Sequence, residues 1–289
     1  MSEKPSWLKT RYSSSPNRQY VEELLDKLQL NTVCEQANCP NYGECFSKKT
    51  ATFMILGTNC TRNCRFCGVQ NADPTPVDPD EPERVAQAVK ELGLGYVVIT
   101  SVTRDDLPDG GAGHFASVIA ALRRAAPNTA VEVLIPDFMG SAGALKLVID
   151  AAPDVICHNM ETVPALYPQV RPGADYARSL AIFTQIKAEN PAIFTKSGIM
   201  LGLGETREQV EALLSDLRQA GCESLTIGQY MSPTKCSYPV SEYITPEQFE
   251  QYGQAALAKG FAFVASAPLV RSSYRAGDAL ATLRAAARK

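Results

Sequence analysis

The chain has 289 residues, and its 28 Lys and Arg against 31 Asp and Glu leave a formal net charge of −3. This length suits one domain of barrel size, and the near-neutral charge excludes the basic surface typical of a nucleic-acid binder. The start, MSEKPSWLKT, lacks the apolar stretch of a signal peptide, and no apolar run is long enough to span a bilayer. We therefore expect a cytoplasmic protein with no nucleic-acid or membrane partner.

Apolar runs alternate with amphipathic stretches along most of the chain. The runs that predict strands are 51–57, 95–102, 130–136, 154–160, 195–202 and 224–230. The stretches with helical spacing are 82–93, 114–126, 141–151, 175–190, 206–221 and 245–260. Strands that alternate with helices of this length indicate βαβ units and a parallel sheet covered on both faces. A seventh apolar run, 261–268, predicts an extra strand.

Two closures of such a sheet are possible: an open doubly wound sheet, or a barrel with fewer than eight units. Both place ligands at the carboxyl ends of the strands, where the polar and glycine-rich segments fall. In chain order these segments are CTRNCRFC, RDDLPDGGAGH, PDFMG, HNMETV, GLGET and YMSPTKCSYP. We divide the chain into an N-terminal arm (1–49), the βα repeat (50–260) and a C-terminal extension (261–289).

Six of the nine cysteines form two trios, and in a reducing compartment clustered thiols are expected to bind metal. The trios are Cys34, Cys39 and Cys45 (CxxxxCxxxxxC), and Cys60, Cys64 and Cys67 (CxxxCxxC). A structural zinc ion takes four ligands, usually from two CxxC-like pairs. A cubane iron–sulfur cluster accepts thiolates on three irons and leaves the fourth open, so the spacing favours iron–sulfur over zinc. S-adenosylmethionine can chelate such an open iron through its amino and carboxylate groups.

The segment CTRNCRFC resembles the CxxxCxΦC signature of the radical S-adenosylmethionine superfamily. That superfamily implies a partial, six-stranded parallel (β/α)6 barrel, similar to a TIM barrel but incomplete. Further motifs make the chain similar to the lipoyl synthase family from about PSWLK to RSSY. These motifs are CEQANCPNYGEC (34–45), TSVTRDDLPDGGAGHF (100–115), HNMETVPALYPQVRPGADY (158–176), TKSGIMLGLGET (195–206) and RSSY (271–274).

The family resemblance implies two 4Fe–4S clusters. One is held by Cys60, Cys64 and Cys67 and binds and cleaves S-adenosylmethionine. The other is an auxiliary cluster, the sulfur source, held by Cys34, Cys39 and Cys45, with Ser273 of the RSSY motif on its fourth iron. The implied reaction inserts sulfur at C6 and C8 of an octanoyl group on a carrier-protein lysine, after a 5′-deoxyadenosyl radical has abstracted hydrogen at each carbon. Implied partners are octanoylated lipoyl-carrier domains or H protein, an electron donor such as flavodoxin or ferredoxin, and an iron–sulfur carrier that rebuilds the auxiliary cluster.

The resemblance also implies contacts with S-adenosylmethionine. Phe66 is expected against the adenine, and the methionyl end is expected near Thr100, Ser101 and Arg104. The ribose hydroxyls are expected near His158, Asn159 and Glu161, and the adenine pocket is expected to be edged by Gly202 and Gly204. By residue type alone, Phe66 and His158 also fit a core, and the two glycines fit a turn. The pair Asp105 and Asp106 is typical of a solvated turn.

The chain departs from the family pattern in SPTKCSYPV (232–240), where Cys236, Ser237 and Tyr238 stand in the region of a usual histidine. The alanines of ASAPLVRSSY replace a more usual small-Gly-Pro run. Two alternatives remain open: another radical sulfur-inserting enzyme, such as a biotin-synthase-like enzyme or a methylthiotransferase, and a non-catalytic iron–sulfur or zinc protein. The remaining thiols, on Cys157, Cys222 and Cys236, are expected to be small hydrophobic or incidental groups.

Overall fold

The computed structural model describes residues 4–9, 15–274 and 276–287. The chain divides into two units. The N-terminal unit comprises Arg11–Arg62 and Gly68–Ile156, and the C-terminal unit comprises Met1–Thr10, Asn63–Cys67 and Cys157–Lys289. Each unit is built from helices packed on parallel strands, as the alternating pattern predicts.

The N-terminal unit starts with elements that apolar periodicity does not predict. They are α1 (Pro16–Lys27), β1 (Asn31–Thr32), α2 (Val33–Gln36) and α3 (Tyr42–Ser47). Ser15 caps α1, because its hydroxyl accepts from the Arg18 amide at 3.2 Å and Pro16 supplies a φ suited to the first helical position. These elements form the segment that the sequence assigns to an arm.

The sheet of the N-terminal unit follows in regular strand–helix alternation. Its elements are β2 (Thr52–Ile55), β3 (Asn59–Cys60), β4 (Gln70–Asn71), α4 (Glu81–Leu92), β5 (Tyr96–Ser101), α5 (Ala112–Ala125), β6 (Ala130–Leu134) and α6 (Ala142–Asp150). The strands β2, β5 and β6 are parallel, with Ile55 opposite Ser101 and Thr100 opposite Leu134. β1 adds antiparallel to β2, and the division between the units falls within β7 (Val155–Cys157).

The prediction for this half is confirmed with one addition. Every predicted strand and helix between residues 51 and 151 is present within a few residues of its expected bounds. The segment after β2, where the sequence predicts no strand, contains the short parallel pair of β3 and β4. The strands are near-continuously buried, and β2 is buried at all four positions. Such burial is typical of a sheet covered on both faces.

The C-terminal unit repeats the same pattern. Its remaining elements are α7 (Tyr167–Val170), α8 (Tyr176–Glu189), β8 (Phe194–Leu201), α9 (Arg207–Gln219), β9 (Ser224–Gln229), α10 (Pro246–Ala258), β10 (Phe263–Ser266) and α11 (Ala276–Ala286). The strands β8, β9 and β10 are parallel neighbours in that order. Capping boxes start α9 and α10, because Thr206 pairs with Gln209 and Thr245 with Gln248.

One apolar core holds the C-terminal unit together. It joins the buried faces of β8, β9, α9 and α10, with Leu213, Leu214, Ile227 and Phe249 at most 1% exposed. The seventh apolar run forms β10, which confirms the extra strand, whereas α11 is not predicted by the sequence pattern. Among the residues that the structure describes, none of the helices has the length and apolar character required to cross a bilayer.

Candidate active site

The first cysteine trio is gathered in the N-terminal unit by two short helices. Cys34 lies in α2, Cys45 lies in α3, and Cys39 lies between them. The Cys39 amide donates to the Cys34 carbonyl at 3.0 Å, and the Cys45 amide donates to the Asn41 carbonyl at 2.9 Å. These backbone bonds fold residues 34–45 into a compact turn that carries all three thiols.

Burial and mutual proximity act on these three thiols. Burial raises the pKa of Cys34 to about 11, and nearby Cys39 adds to the rise. Burial raises the pKa of Cys45 to about 12, and both other thiols add to it. Thiolates that repel one another are stabilised by a shared cationic centre, whose binding displaces their protons. Three soft sulfur donors fit an iron–sulfur cluster, in which each thiolate binds its own iron.

A zinc site requires a different arrangement of its ligands, because all of them must bind the same ion. Across residues 4–9, 15–274 and 276–287, no three His, Cys, Asp or Glu side chains are grouped closely enough to hold a single metal ion. The sulfurs that bind a cubane lie further apart, since they bind different irons. The two kinds of site therefore differ in the spacing they require of the thiols.

Helix α1 supports the helix that carries Cys45. The Tyr42 hydroxyl donates to Glu22 Oε1 at 2.6 Å, and the Arg18 guanidinium lies 4.8 Å from the centre of the Tyr42 ring. The Asn17 amide group donates to the Ser47 carbonyl at 2.9 Å, at the end of α3. Because α1 contacts both ends of α3, it fixes the position of the helix that carries Cys45.

Cys60 lies in the N-terminal unit, at the end of β3. Its sulfur accepts a hydrogen bond from the Thr103 amide at 3.3 Å. The Asn71 side chain donates to the Cys60 carbonyl at 2.9 Å, across the β3–β4 pair. The thiol is half-buried at the carboxyl ends of β2 and β5, where the sequence places it.

The polar segment after β5 is an exposed turn whose two carboxylates are ion-paired. Asp105 pairs with Arg62 at 2.7 Å, and Asp106 pairs with Arg104 at 2.8 Å. The hydrogen bonds from Arg104 lower the pKa of the Asp106 carboxyl below its usual range. Arg104 also donates to the Leu56 carbonyl at 3.3 Å and is only 3% exposed. The expected exposed turn is therefore confirmed, and both carboxylates in addition fix the loop through arginines.

Two hydroxyls at the end of β5 differ in their partners. The Thr100 hydroxyl donates to the Leu134 carbonyl at 3.1 Å, so it is used within the sheet. The Ser101 hydroxyl is buried and has no hydrogen-bond partner among the described residues. A buried hydroxyl without a partner is costly, and a bound polar group can relieve that cost. Ser101 therefore fits the contact with a cofactor that the sequence predicts.

Cys64, Phe66 and Cys67 lie in the C-terminal unit. The Cys67 amide donates to the Cys64 carbonyl at 3.0 Å, which forms a turn around Arg65. The Arg65 amide donates to the Val170 carbonyl at 2.8 Å, so this turn is tied to α7. Phe66 packs on the buried group of Val170, Leu203 and Tyr230, which satisfies the core interpretation. Its contact with adenine remains a prediction.

The segment after β7 is buried against β8. The His158 ring is hydrogen-bonded to the Ser179 hydroxyl at 3.0 Å. It is 2% exposed, as expected of a core histidine. Glu161 has a left-handed φ of 65°, and its amide donates to the Gly198 carbonyl at 3.0 Å. Burial raises the pKa of the Glu161 carboxyl, against the opposing charges of Arg171 and Arg271. A carboxylate held in this strained position is typical of a binding site.

Asn159 lies between those two residues and approaches β8 closely. Its side-chain oxygen would lie 2.7 Å from a Cβ added to Gly198, so the glycine permits this approach. The Arg171 guanidinium donates to the Asn159 carbonyl at 2.9 Å, while its Nε is buried and has no partner among the described residues. The ends of β7 and β8 therefore offer an amide, a carboxylate and an arginine to a polar ligand.

The RSSY motif forms a hydrogen-bonded turn after β10. The Tyr274 amide donates to the Arg271 carbonyl at 3.0 Å, with Ser272 and Ser273 at the two central positions. The chain reaches this turn by passing close to β9, since a Cβ added to Gly228 would lie 2.1 Å from the Val270 carbonyl oxygen. The turn therefore has a fixed place in the C-terminal unit, with Ser273 half-buried.

These motifs belong to a chain that matches a known protein family. The radical SAM superfamily matches residues 54–217. A lipoyl synthase of Alkaliphilus metalliredigens is 56% identical over 277 residues, which cover 96% of both chains. A lipoyl synthase of Caldanaerobacter subterraneus subsp. tengcongensis is 56% identical over 282 residues, which cover 97% of this chain and 98% of the relative. The chain belongs to the lipoyl synthase family. The resemblance in the sequence motifs is thereby confirmed.

Solved structures show the same fold at low identity. HydG, a maturase of the FeFe hydrogenase, gives a TM-score of 0.59 at 14% identity and covers 94% of this chain and 67% of its own. SuiB of Streptococcus suis bound to S-adenosylmethionine gives a TM-score of 0.58 at 11% identity, over 78% of this chain and 54% of its own. Both matches confirm an α/β fold of the radical SAM type.

The GIMLGLGE motif of this family member is a turn closed by its own glutamate. The Gly202 and Leu203 amides donate to the Glu205 carboxylate at 2.5 and 2.9 Å. Gly202 has a φ of 94°, and an added Cβ would lie 2.3 Å from the Glu242 carbonyl oxygen. Gly204 has a φ of 111° and more room, with the Ser241 hydroxyl 3.3 Å from an added Cβ. Both glycines are therefore required by the backbone, whether or not they edge a pocket.

We expect Gly202→Ala to lower the free energy of unfolding by about 3 kcal/mol. About 1 kcal/mol comes from the left-handed backbone and about 1–3 kcal/mol from the overlap with Glu242. Gly93→Ala is the matched control, since Gly93 has a φ of 66° but an added Cβ meets no described atom within 4 Å. It should cost only about 1 kcal/mol. Urea denaturation followed by circular dichroism compares the two, and equal midpoints would contradict the steric argument.

Sequence reasoning missed Gln229, the last residue of β9. It is fully buried, and its amide nitrogen donates to the carbonyls of Leu201, Tyr230 and Glu242 at 3.0–3.1 Å. Its side-chain oxygen accepts from the Ile244 amide at 2.8 Å. One glutamine thus joins the ends of β8 and β9 to the segment before α10. A polar residue that ends an apolar strand run was the available signal.

A second missed group is the buried pair of Glu81 and His114 in the N-terminal unit. Glu81 Oε2 lies 2.7 Å from His114 Nε2 and accepts from the Leu56 amide at 2.9 Å. Leu56 and Gly57 both have positive φ, at 68° and 91°, where the chain turns from β2 toward the second cysteine trio. The pair therefore fixes this turn. Of the other thiols, Cys157 and Cys222 are buried, as small hydrophobic groups would be, and Cys236 is exposed.

Proposed function

We propose that this chain catalyses the lipoyl synthase reaction, the insertion of two sulfur atoms at C6 and C8 of a protein-bound octanoyl group. The observation that carries the proposal is the gathering of Cys34, Cys39 and Cys45 by α2 and α3, with Cys34 buried and the other two half-buried, separate in sequence from CTRNCRFC. A radical enzyme that needs only S-adenosylmethionine cleavage has use for one trio. A second trio supports a second cluster, which can serve as the sulfur source.

The roles of the cysteines follow from the two motifs. Cys60, Cys64 and Cys67 would hold the cluster that binds S-adenosylmethionine, and the first trio would hold the auxiliary cluster. When bound, these groups supply the carbon radicals and the sulfide that side chains cannot provide. The protein residues bind and orient them, and the Thr103 amide already donates to the Cys60 sulfur. Ser273 would ligate the fourth iron of the auxiliary cluster, as the RSSY motif of the family implies.

The contacts with S-adenosylmethionine are proposed at the strand ends. Ser101 offers a buried hydroxyl without a described partner, and Asn159 and Glu161 offer polar groups to the ribose. Phe66 would lie against the adenine, beside Gly202. We further propose the partial six-stranded (β/α)6 barrel with an N-terminal arm (1–49) and a C-terminal extension (261–289).

The proposed substrate is an octanoylated lipoyl-carrier domain or H protein. A flavodoxin or ferredoxin would deliver electrons, and an iron–sulfur carrier would rebuild the auxiliary cluster after its sulfur is consumed. The family resemblance implies these partners. The chemistry of the reaction supports the iron–sulfur carrier, because each turnover removes two sulfur atoms from the enzyme. The differences at Cys236, Ser237 and Tyr238 lie in an exposed-to-half-buried segment, in which Tyr238 stacks on Arg65 with 5.4 Å between guanidinium and ring centre.

The test is an anaerobic assay with reconstituted protein, a strong reductant, S-adenosylmethionine and an octanoyl-lysyl peptide. We expect mass spectrometry to show a lipoyl peptide and about two 5′-deoxyadenosine molecules per product, one for each hydrogen abstracted. Deoxyadenosine without a sulfur-bearing peptide would point to another substrate of a radical enzyme. Neither product, with intact clusters, would favour a non-catalytic iron–sulfur protein.

A further inference from the structure

Arg62 stands between the first two cysteines of CTRNCRFC, and its side chain is only 8% exposed. Its Nε and Nη2 atoms donate to the two carboxylate oxygens of Asp105 at 2.7 and 2.9 Å. Its Nη2 also donates to Asp137 Oδ1 at 2.6 Å, and the Asp137 side chain is fully buried. We call Arg62, Asp105 and Asp137 the Arg62 clamp.

The Arg62 clamp joins three loops at one edge of the N-terminal sheet. Arg62 follows β3, Asp105 follows β5 and Asp137 follows β6. A two-pronged arginine–carboxylate pair fixes orientation as well as distance, and a buried carboxylate such as Asp137 is stable only when it is paired. The clamp therefore determines where the chain between Cys60 and Arg62 lies relative to these loops.

Thr61 connects the same loop to the cysteine through uncharged hydrogen bonds. The Thr61 amide and hydroxyl both donate to the Thr103 carbonyl, at 3.1 and 3.0 Å. The Thr61 hydroxyl also accepts from the Asp105 amide at 3.1 Å. The Thr103 amide, held in this way, donates to the Cys60 sulfur at 3.3 Å. Residues 103–105 are thus held on both sides, by Thr61 and by Arg62.

We propose that Thr61 and the Arg62 clamp are positioning elements for the Cys60 thiolate. They keep the Thr103 amide hydrogen-bonded to the sulfur, and so they retain the cluster and set its reduction potential. This inference rests on the proposed function, in which Cys60 is a cluster ligand. Hydrogen bonds to cluster sulfurs and local charge are known determinants of the potential. A donor at the sulfur stabilises the more negative reduced state, and the Arg62 charge acts in the same direction.

The test uses the full reconstituted chain and two variants, Thr61→Val and Arg62→Gln. A potentiometric titration followed by electron paramagnetic resonance measures the cluster whose signal responds to S-adenosylmethionine. We expect both variants to have a midpoint potential more negative than the parent protein. We also expect about 10-fold faster iron release to a chelator, the size of effect that loss of an outer hydrogen-bond partner has on metal sites. Thr61→Val changes no charge and tests the hydrogen bonds by themselves.

Two controls separate positioning from general damage. Thr61→Ser keeps the hydroxyl and should restore the parent potential. Arg84→Gln breaks a more exposed ion pair elsewhere in the same unit, Arg84 with Asp78 at 2.7 Å, and should leave the potential unchanged. The proposal is overturned if Thr61→Val and Arg62→Gln, loaded with iron as the parent is, titrate at the parent midpoint. A parent protein with no signal responsive to S-adenosylmethionine would instead overturn the proposed function, and the role of the clamp with it.

Discussion

We expect Cys45→Ala to separate radical formation from sulfur insertion. The substitution removes one of three thiols that α2 and α3 hold together, and alanine offers no atom that can bind iron. Iron content should fall from about eight to about four atoms per chain, the difference of one cubane. Formation of 5′-deoxyadenosine should persist, because CTRNCRFC is untouched. Lipoyl product should fall by more than about 100-fold, since loss of even an outer hydrogen-bond partner of a metal ligand costs about 10- to 100-fold.

Alanine substitutions of two other cysteines serve as controls. Cys64→Ala removes a ligand of the other trio and should abolish both 5′-deoxyadenosine and lipoyl product. Cys236→Ala removes an exposed thiol outside both trios and should change neither product. The measurements are iron and sulfide analysis together with mass spectrometry of the peptide. A Cys45→Ala protein that still made lipoyl peptide at the parent rate would show that the first trio is not the sulfur source.

Part of this architecture follows from local sequence signals. Strands such as β5 and β8 and helices such as α9 appear where apolar periodicity predicts them, because their buried faces repeat at the period of their structure. Helix α1 was missed although Ser15 and Pro16 carry a start signal, since only three of its side chains, Val21, Leu24 and Leu25, are fully buried. Caps without a long apolar face are weak evidence for a helix.

Local sequence signals predict only part of the candidate site. The two trios can be recognised as motifs, because the spacing of their cysteines is read directly from the sequence. The partners of Asp105 and Asp106 cannot be predicted from the sequence, since Arg62 lies 43 residues from Asp105 and the two carboxylates pair with different arginines. By residue type, two adjacent aspartates in a polar loop predict an exposed turn, which is observed, but they do not predict its ion pairs. Only the pairing of β2 with β5 brings the arginine of one loop to the carboxylate of the next.

Ser273→Cys tests the proposed oxygen ligand of the auxiliary cluster. An alkoxide is a harder and poorer match for iron than a thiolate, so its departure can open the cluster as sulfur leaves. A thiolate at the same place should hold the iron more firmly. We therefore expect iron content to stay at the parent value while doubly sulfur-substituted peptide falls by about 10-fold or more, the scale on which ligand tuning acts. Mass spectrometry of the peptide distinguishes none, one and two added sulfurs.

The turn that carries Ser273 offers its own control. Ser272 occupies the neighbouring central position of the same turn, which the Tyr274 amide closes on the Arg271 carbonyl. Ser272→Ala keeps that backbone bond and should leave sulfur insertion near the parent level, so a general disturbance of the turn can be recognised. Full double insertion by Ser273→Cys would count against a labile oxygen ligand, because the tighter thiolate would then have left the chemistry unchanged. Loss of activity in Ser273→Cys, with Ser272→Ala active and both proteins fully loaded with iron, would place the effect on the ligand itself.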